Sequence, residues 1–394
     1  MKLFKRTWAE ISLDNLAENY RSYYDKVVKN TNTDIMCVVK ASCYGHSDTA
    51  AAPFLQNELG AKWFAVSNLD EAIRLRDMGI TGEILILGYT APEEAAELEK
   101  YDIIQAVLDI PYARALSANA AKAGLKKGVR CHIAIDTGMT RIGIRGTAEQ
   151  IAQGICEIAA MDKLLAEGAF THYAVADTLT EDCISYTEKQ TELIYAAADI
   201  AAQRGVALKT VHSLNSAGGL FHYTPRSALA RLGITLYGLT PDRELDLPID
   251  IKPVLSLKST ISQIKEIDAG VDISYGRTFT SKNPMKIATV ACGYADGYPR
   301  ALSNVGEILV HGVRCPIVGR VCMDQFMADI SGVQAQAQAG DTVTLIGEEG
   351  GERITADDIA ALTGTIGYEI VCGISERVPR AAYYKGEQVG IFKL

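Results

Sequence analysis

The chain has 394 residues, a length that usually forms two domains, and its composition is globular, with 48% hydrophobic and 22% charged residues. Its net charge of -9 comes without a basic block, which argues against nucleic acid and anionic membranes as partners. Nine cysteines without a CxxC pair argue against a disulfide framework or a structural zinc site and favour a reducing compartment. No stretch approaches ~18 consecutive apolar residues, and the N-terminus lacks the apolar core of a signal peptide, so a cytoplasmic protein without a membrane segment is predicted.

From residue 35 onward, short apolar or β-branched runs alternate with alanine- and glutamate-rich segments that have helical spacing. Eight of these runs are predicted strands: 35–41, 63–68, 83–88, 103–109, 130–136, 167–174, 209–215 and 233–239. Eight strand–helix alternations over roughly 240 residues are typical of a (β/α)8 TIM-type barrel, and a doubly wound open sheet is the alternative. We therefore predict an α/β protein whose first domain, 1–245, is a barrel.

The pattern changes in the last third of the chain. Residues 252–394 carry alternating or β-branched runs, tight glycine turns and one clear helix, TADDIAALTG, which indicates a mostly β second domain over 246–394. The proline- and aspartate-rich segment 240–253 is the predicted junction. The early amphipathic run TWAEISL suggests that residues 1–14 pair with the second domain.

Polar residues stand where the predicted strands end. Lys40 closes the first strand in DIMCVVKASCYGHSD, where a plain surface lysine and a catalytic amine are both compatible with the pattern. Active sites of barrel enzymes lie at the C-terminal ends of the strands. The other polar residues near these ends are Tyr44, Arg141, His172, Ser216 and, at the start of the eighth strand, Arg231. All of them are expected to face one mouth of the barrel.

Nine segments, taken together, resemble the bacterial alanine racemase family. In chain order they are VVKASCYGHS, IDTGMTRIG, THYAVAD, HSLNSAG, RLGITLYGL, SYGRTF, GYADGYPR, VGRVCMDQFMADIS and ERVPR. The resemblance implies a pyridoxal 5'-phosphate (PLP) enzyme with a barrel and a β domain. It further implies interconversion of L- and D-alanine for peptidoglycan and a homodimer in which each active site is shared between two subunits.

The resemblance also implies roles for single residues. Lys40 would hold PLP and act as the base on one face of the substrate Cα, and Tyr275 of the partner subunit would act on the other face. Arg231 would pair with the pyridine nitrogen, and His172 would pack on the ring. The implied phosphate contacts are Tyr44, Ser216, Gly233, Ile234 and Tyr368. Arg141 would contact the cofactor and, with the amide of Met323 from the partner, the substrate carboxylate.

A departure from the family pattern leaves the substrate more open than the reaction. Ala134 stands where many family members carry a carbamylated lysine, so Arg141 needs an anion, water or another side chain to orient it. A serine racemase of the glycopeptide-resistance type, or a broader small-amino-acid racemase, is the main alternative. Those serine enzymes tend to have asparagine where Tyr368 stands, which favours alanine.

Two alternatives from other functional classes fit less well. A non-catalytic PLP carrier would lack the second domain. A metal-dependent barrel hydrolase would need paired His and Asp ligands, and the sequence offers no such pairs.

Overall fold

The computed structural model describes residues 2–393. The chain begins with strand β1 (Thr7–Ser12) and helix α1 (Leu13–Tyr23), which continues as a π-helical turn over Tyr24–Val28. Eight parallel strands follow: β2 (Asp34–Val38), β3 (Trp63–Val66), β4 (Glu83–Ile86), β5 (Ile104–Val107), β6 (Val129–Ala134), β7 (Leu164–Phe170), β8 (Thr210–His212) and β9 (Leu229–Leu232). The helical elements between them are α2 (Lys40–Tyr44), α3 (Asp48–Leu59), α4 (Leu69–Asp77), α5 (Ala95–Lys100), α6 (Ile110–Lys122), α7 (Ala148–Ala159), α8 (Glu181–Gln203) and α9 (Ser216–Phe221).

The eight strands close into a barrel. Strands β2 to β8 are neighbours in chain order, and β9 pairs with β2 on the other side. The remaining gap is bridged by two backbone hydrogen bonds, from Ala228 N to Val211 O (2.9 Å) and from Arg231 N to Leu214 O (3.0 Å). The predicted barrel is therefore confirmed, and the open doubly wound sheet is excluded.

The eighth strand lies earlier than the sequence predicts. It spans Leu229–Leu232, whereas the predicted run 233–239 contains the 3-10 turn Ile234–Tyr237. This apolar run is buried, and the Tyr237 hydroxyl donates to Val38 O. A short buried run has the same apolar pattern whether it forms a strand or a helical turn, so the sequence alone does not distinguish the two. Arg231 consequently lies inside β9, and Gly233 follows the strand directly.

The second sheet has ten strands. Its members are β1 with β10 (Leu255–Ile267), β13 (Met285–Val290), β14 (Glu307–Val310), β15 (Val313–Val318), β16 (Phe326–Asp329), β17 (Thr342–Glu349), β18 (Glu352–Ile354), β19 (Arg380–Tyr384) and β20 (Glu387–Phe392). Strand β1 pairs antiparallel with β10 and parallel with β19, so residues 7–12 are part of this sheet. A separate hairpin consists of β11 (Asp272–Ile273) and β12 (Phe279–Thr280). Two short helices, α10 (Ala356–Thr363) and the unpredicted α11 (Gly367–Cys372), complete the domain.

The barrel and the second sheet share one hydrophobic core. Ile11 of β1, Leu16 of α1 and Val371 of α11 belong to the same buried cluster as the barrel strands. Within residues 2–393, no helix is both long and apolar enough to cross a membrane. The same residues contain no cluster of three His, Cys, Asp or Glu side chains that could hold a metal ion.

Candidate active site

Lys40 stands at the C-terminal end of β2 and starts α2, which is one turn of left-handed helix. Ala41, Ser42, Cys43 and Tyr44 have φ angles between 50° and 56°. We call residues 41–44 the left-handed turn. For residues with a side chain, this conformation costs roughly 1–2 kcal/mol each, so the turn is strained.

Surrounding groups hold the left-handed turn. Gly45 (φ 80°) ends it, and a Cβ atom there would lie 2.2 Å from the Val371 carbonyl oxygen, so only glycine fits. At the other end, the Glu71 carboxylate accepts from the amides of Ala41 (2.8 Å) and Ser67 (2.7 Å). Sequence reasoning missed Glu71, because its place in an ordinary helix gives no sign of these contacts.

The Lys40 amine lies where its charge is disfavoured. Burial is the main cause that lowers its pKa, and the nearby Arg141 guanidinium lowers it further, whereas Glu71 opposes both effects. Its Nζ atom lies 5.9 Å from the centre of the Tyr44 ring. A lysine with a lowered pKa has a larger fraction of neutral amine, the form that acts as a nucleophile or base.

A cradle for an anion lies beside this lysine. The Gly233 amide donates to Ser216 Oγ over 3.0 Å, and a Cβ atom at Gly233 would lie 3.0 Å from the Tyr44 hydroxyl. Ile234 opens a 3-10 turn, where the first amides have no acceptor within the turn. From the second domain, the Tyr368 ring comes within 6.1 Å of the Tyr44 ring. Hydroxyls and backbone amides that converge on a space kept open by glycine fit a phosphate group.

Arg231 is a buried cation on the barrel wall. Its Nη1 donates to His212 Nδ1 (2.9 Å), and its Nη2 donates to the carbonyls of Thr171 (2.7 Å) and Ser213 (3.1 Å). Burial lowers its pKa to about 10, so the guanidinium stays charged at neutral pH. Its Nε donates to no residue in the described part of the chain, which leaves one donor for an acceptor such as an aromatic nitrogen.

Two histidines contact Arg231, a third lies behind one of them, and all three are neutral near pH 7. His172 Nδ1 lies 3.5 Å from Arg231 Nη2, and burial followed by the charge of Arg231 lowers the His172 pKa to about 3. Because arginine only donates, His212 must carry its proton on Nε2, which lies 3.1 Å from His132 Nδ1. His132 on β6 and His212 on β8 come from alternate strands, the arrangement that forms one layer of a barrel interior. Sequence reasoning missed both, although each stands at an inward strand position.

Arg141 lies in the loop after β6 and is exposed. The Asp136 carboxylate shapes this loop by accepting from the amides of Gly138 (3.0 Å) and Thr140 (2.8 Å). A small cavity beside the loop is lined by Ala134, Ile135, Met139, Arg141, Ile142, Phe170, Thr171 and His172. Since Ala134 carries no carboxylate or amine, its side chain cannot orient Arg141 by hydrogen bonding.

Tyr275 and Met323 lie elsewhere, on an exposed face of the second domain. Tyr275 stands in the turn of the β11–β12 hairpin and is 72% exposed, and Met323 is 53% exposed. The hairpin is fixed to the Met323 loop by Ser274, whose hydroxyl donates to the Arg320 carbonyl over 2.8 Å. No hydrogen bond or ring contact among the described residues joins either side chain to the barrel mouth.

Comparison with known proteins connects this geometry to a reaction. The family descriptions "Alanine racemase, N-terminal domain" and "Alanine racemase, C-terminal domain" match residues 11–241 and 254–382. A protein named alanine racemase 2 from Caldanaerobacter subterraneus subsp. tengcongensis is 41% identical over 382 residues, which is 97% of this chain and 96% of that protein. The structure of alanine racemase from Clostridium difficile 630 has a TM-score of 0.92 at 36% identity and covers 100% and 99% of the two chains. The structure from Bacillus anthracis with bound L-Ala-P has a TM-score of 0.90 at 35% identity over 100% and 99%.

Proposed function

We propose that this chain, which belongs to the alanine racemase family, interconverts L- and D-alanine with PLP bound at the mouth of its barrel. The observation that carries the proposal is the convergence of three groups on one mouth. These are the amine of Lys40, the anion cradle around Gly233 and the buried guanidinium of Arg231. D-Alanine made in this way would serve peptidoglycan synthesis.

The residues present fit the cofactor. When bound, PLP supplies an electron sink for the charge that develops at the substrate Cα. Lys40 would hold it covalently, and the unused Nε donor of Arg231 supports a contact to its ring nitrogen. The residues that would hold its phosphate are Tyr44, Ser216, Tyr368 and the amides of Gly233 and Ile234. His172, which lies beside Arg231, would pack on the ring.

Lys40 and Arg231 divide the chemistry between them. In the proposed reaction, Lys40 removes or returns the Cα proton on one face of the substrate, and its lowered pKa supports this role. Arg231 does not readily give up a proton, so it stabilises the ring nitrogen without protonating it, which limits how much charge the ring withdraws. Arg141 would bind the substrate carboxylate as a bidentate donor at the edge of the site.

A proton on the opposite face requires a second acid or base, and we assign this role to Tyr275 of a partner subunit. Its 72% exposure and that of Met323 support the assignment, because both residues are available to another molecule of the chain. The Met323 amide donates to no backbone carbonyl in the described residues, so it is free to bind the substrate carboxylate. A homodimer with two shared sites follows from this assignment. Nine unpaired cysteines support a cytoplasmic location, where thiols stay reduced.

The proposal is tested on the purified chain incubated with PLP. We expect a visible absorption band, fixation of the cofactor on Lys40 by borohydride, and formation of D-alanine from L-alanine measured by chiral chromatography. Lys40→Ala should abolish all three signals. Lys62→Ala, which changes an exposed lysine next to the start of β3, should leave them unchanged. A chain that takes up no PLP would contradict the proposal.

A further inference from the structure

Arg380 is a fully buried cation without an acidic partner. Its side chain is 0% exposed, and it forms no ion pair with any carboxylate in residues 2–393. All of its hydrogen bonds go to backbone carbonyls, namely from Nε to Gly45 (3.0 Å), from Nη1 to Ser375 (2.7 Å) and Val378 (2.5 Å), and from Nη2 to Ile374 (2.6 Å). Burying a charge is costly unless it is well hydrogen-bonded, and these backbone carbonyls are the groups that compensate the charge of Arg380.

One of its acceptors, Gly45, ends the left-handed turn. The last carbonyls of a helical turn have no partner within the turn and need outside donors. His46 Nδ1 lies 2.9 Å from the carbonyl oxygens of both Cys43 and Tyr44, and Arg380 supplies the donor for Gly45. Two side-chain donors therefore cap the end of the turn, one from the same segment and one from the second domain.

The turn needs such support because it is strained. Four consecutive residues, 41–44, have positive φ angles, and conformations of this kind persist only where the surrounding structure holds them. Lys40 lies directly before the turn, and Tyr44 is its last residue. Any relaxation of the turn would therefore move both groups relative to each other.

We propose that Arg380 is a positioning residue that clamps the left-handed turn from the second domain and so fixes Lys40 and Tyr44. The inference rests on the proposed function, in which these two residues hold opposite ends of PLP. Arg380 is suited to the task because it is the first residue of β19, which pairs with β1 and is anchored in the ten-stranded sheet.

The other three acceptors of Arg380 extend this connection. They lie in residues 374–378, the segment that follows α11, the helix that carries Tyr368. Gly45 also abuts the Val371 carbonyl of α11. Arg380 therefore connects the left-handed turn and helix α11 to strand β19, and the geometry of the site depends on the second domain.

The matched control is Arg76 on α4. It also donates four hydrogen bonds to backbone carbonyls, those of Ile80, Gly82, Tyr101 and Asp102, but all of them lie away from the lysine turn. Lysine cannot reproduce the planar fork of arginine, so both Arg380→Lys and Arg76→Lys should lower the melting temperature. A purely structural role for Arg380 would give the same result in both variants.

Three measurements on the cofactor-bound dimer separate the two variants. In Arg380→Lys we expect kcat to fall by up to ~100-fold with little change in KM, because misplacement of a catalytic group by about 1 Å has this effect. We also expect the visible band of bound PLP to shift. Hydrogen–deuterium exchange of residues 40–47 should accelerate, since the amides of Cys43 and Gly45 donate to carbonyls of Val39 and Ala41. Arg76→Lys should leave all three unchanged.

Each outcome of these measurements supports or refutes the proposed clamp by Arg380. If Arg380→Lys matches Arg76→Lys in all three measurements, the clamp is refuted while the racemase proposal stands. If the wild type neither binds PLP nor racemises alanine, the proposed function fails, and exchange still tests the clamp. If Arg380→Lys does not fold, exchange of the wild type is followed in rising denaturant. Residues 40–47 and 374–380 should then lose protection together, and protection of 40–47 that outlasts that of 374–380 would refute the clamp.

Discussion

Ser216 Oγ accepts a hydrogen bond from the Gly233 amide over 3.0 Å, and a side chain at Gly233 would point between this hydroxyl and that of Tyr44. A Cβ atom would lie 3.0 Å from the Tyr44 hydroxyl and 3.7 Å from Ser216 Oγ. Glycine therefore keeps open the space between these two hydroxyls that a bound anion would occupy.

Gly233→Ala should weaken PLP binding without unfolding the barrel. The added methyl group would push the phosphate away from at least one of its donors. A hydrogen bond to a charged group is worth ~1.5–3 kcal/mol, so we expect the Kd to rise by about 10- to 100-fold. Fluorescence titration of the apoenzyme with PLP measures the effect. Gly332→Ala is the matched control, because nothing lies within 4 Å of a Cβ atom there. Unchanged affinity in Gly233→Ala would mean that the phosphate binds elsewhere.

If each active site is shared between two subunits, as proposed, two inactive variants should complement each other. Lys40→Ala and Tyr275→Phe should each be nearly inactive alone, since one general acid or base contributes ~100- to 10,000-fold. In mixed dimers one site carries both changes and the other carries neither. After random exchange of subunits in equal amounts, we expect about a quarter of the wild-type activity. If each site were built from one chain, mixing would restore nothing.

Substrate choice is tested at Tyr368. An apolar pocket discriminates against an added hydroxyl by only about 100-fold, so the wild type should racemise serine measurably while preferring alanine. Tyr368→Asn should raise the serine-to-alanine ratio of kcat/KM by a factor equivalent to ~1–3 kcal/mol, because it opens space and offers a polar partner to the serine hydroxyl. Tyr44→Phe, which also removes a hydroxyl proposed to contact the phosphate, should leave the ratio unchanged. Equal losses for both substrates in Tyr368→Asn would limit Tyr368 to anchoring phosphate.

Buried histidines should make the fold sensitive to acid. Burial lowers the pKa of His46 to about 4 and that of His132 to about 3, whereas the unfolded chain titrates near ~6.5. Below that pH the unfolded state binds protons that the folded state does not bind. The contribution of these histidines to the free energy of unfolding is therefore fully present above pH ~6.5 and is lost as the pH falls toward 4. Each histidine contributes up to ~1.4 kcal/mol per pH unit.

This acid sensitivity is measured by denaturant unfolding across pH. Near pH 5, His46→Gln should reduce the slope of unfolding free energy against pH by about one proton. At pH 8 His46 is neutral in both the folded and the unfolded state, so the variant and the wild type should have the same slope. Equal slopes at pH 5 would show that His46 does not resist protonation in the folded state.

The sequence by itself determined the barrel, because eight alternations of apolar runs and helical segments are a local pattern that repeats along the chain. It also placed Lys40 at the C-terminal face of the barrel, since a lysine that follows a buried strand emerges there, whereas its proposed role came from the resemblance to the alanine racemase family. Local apolar character did not separate β9 from the turn that follows it, since both are buried. Burial depends on neighbours that a local pattern does not contain.

Only the tertiary structure decided how the site is held. Ala41, Ser42, Cys43 and Tyr44 have no intrinsic preference for a left-handed turn, and the turn ends in a hydrogen bond from Arg380, 335 positions along the chain. The His132–His212–Arg231 chain likewise joins three separate strands. Such contacts form only after distant segments have packed. The conformation of the turn that follows Lys40 is therefore a property of the folded pair of domains and not of its own residues.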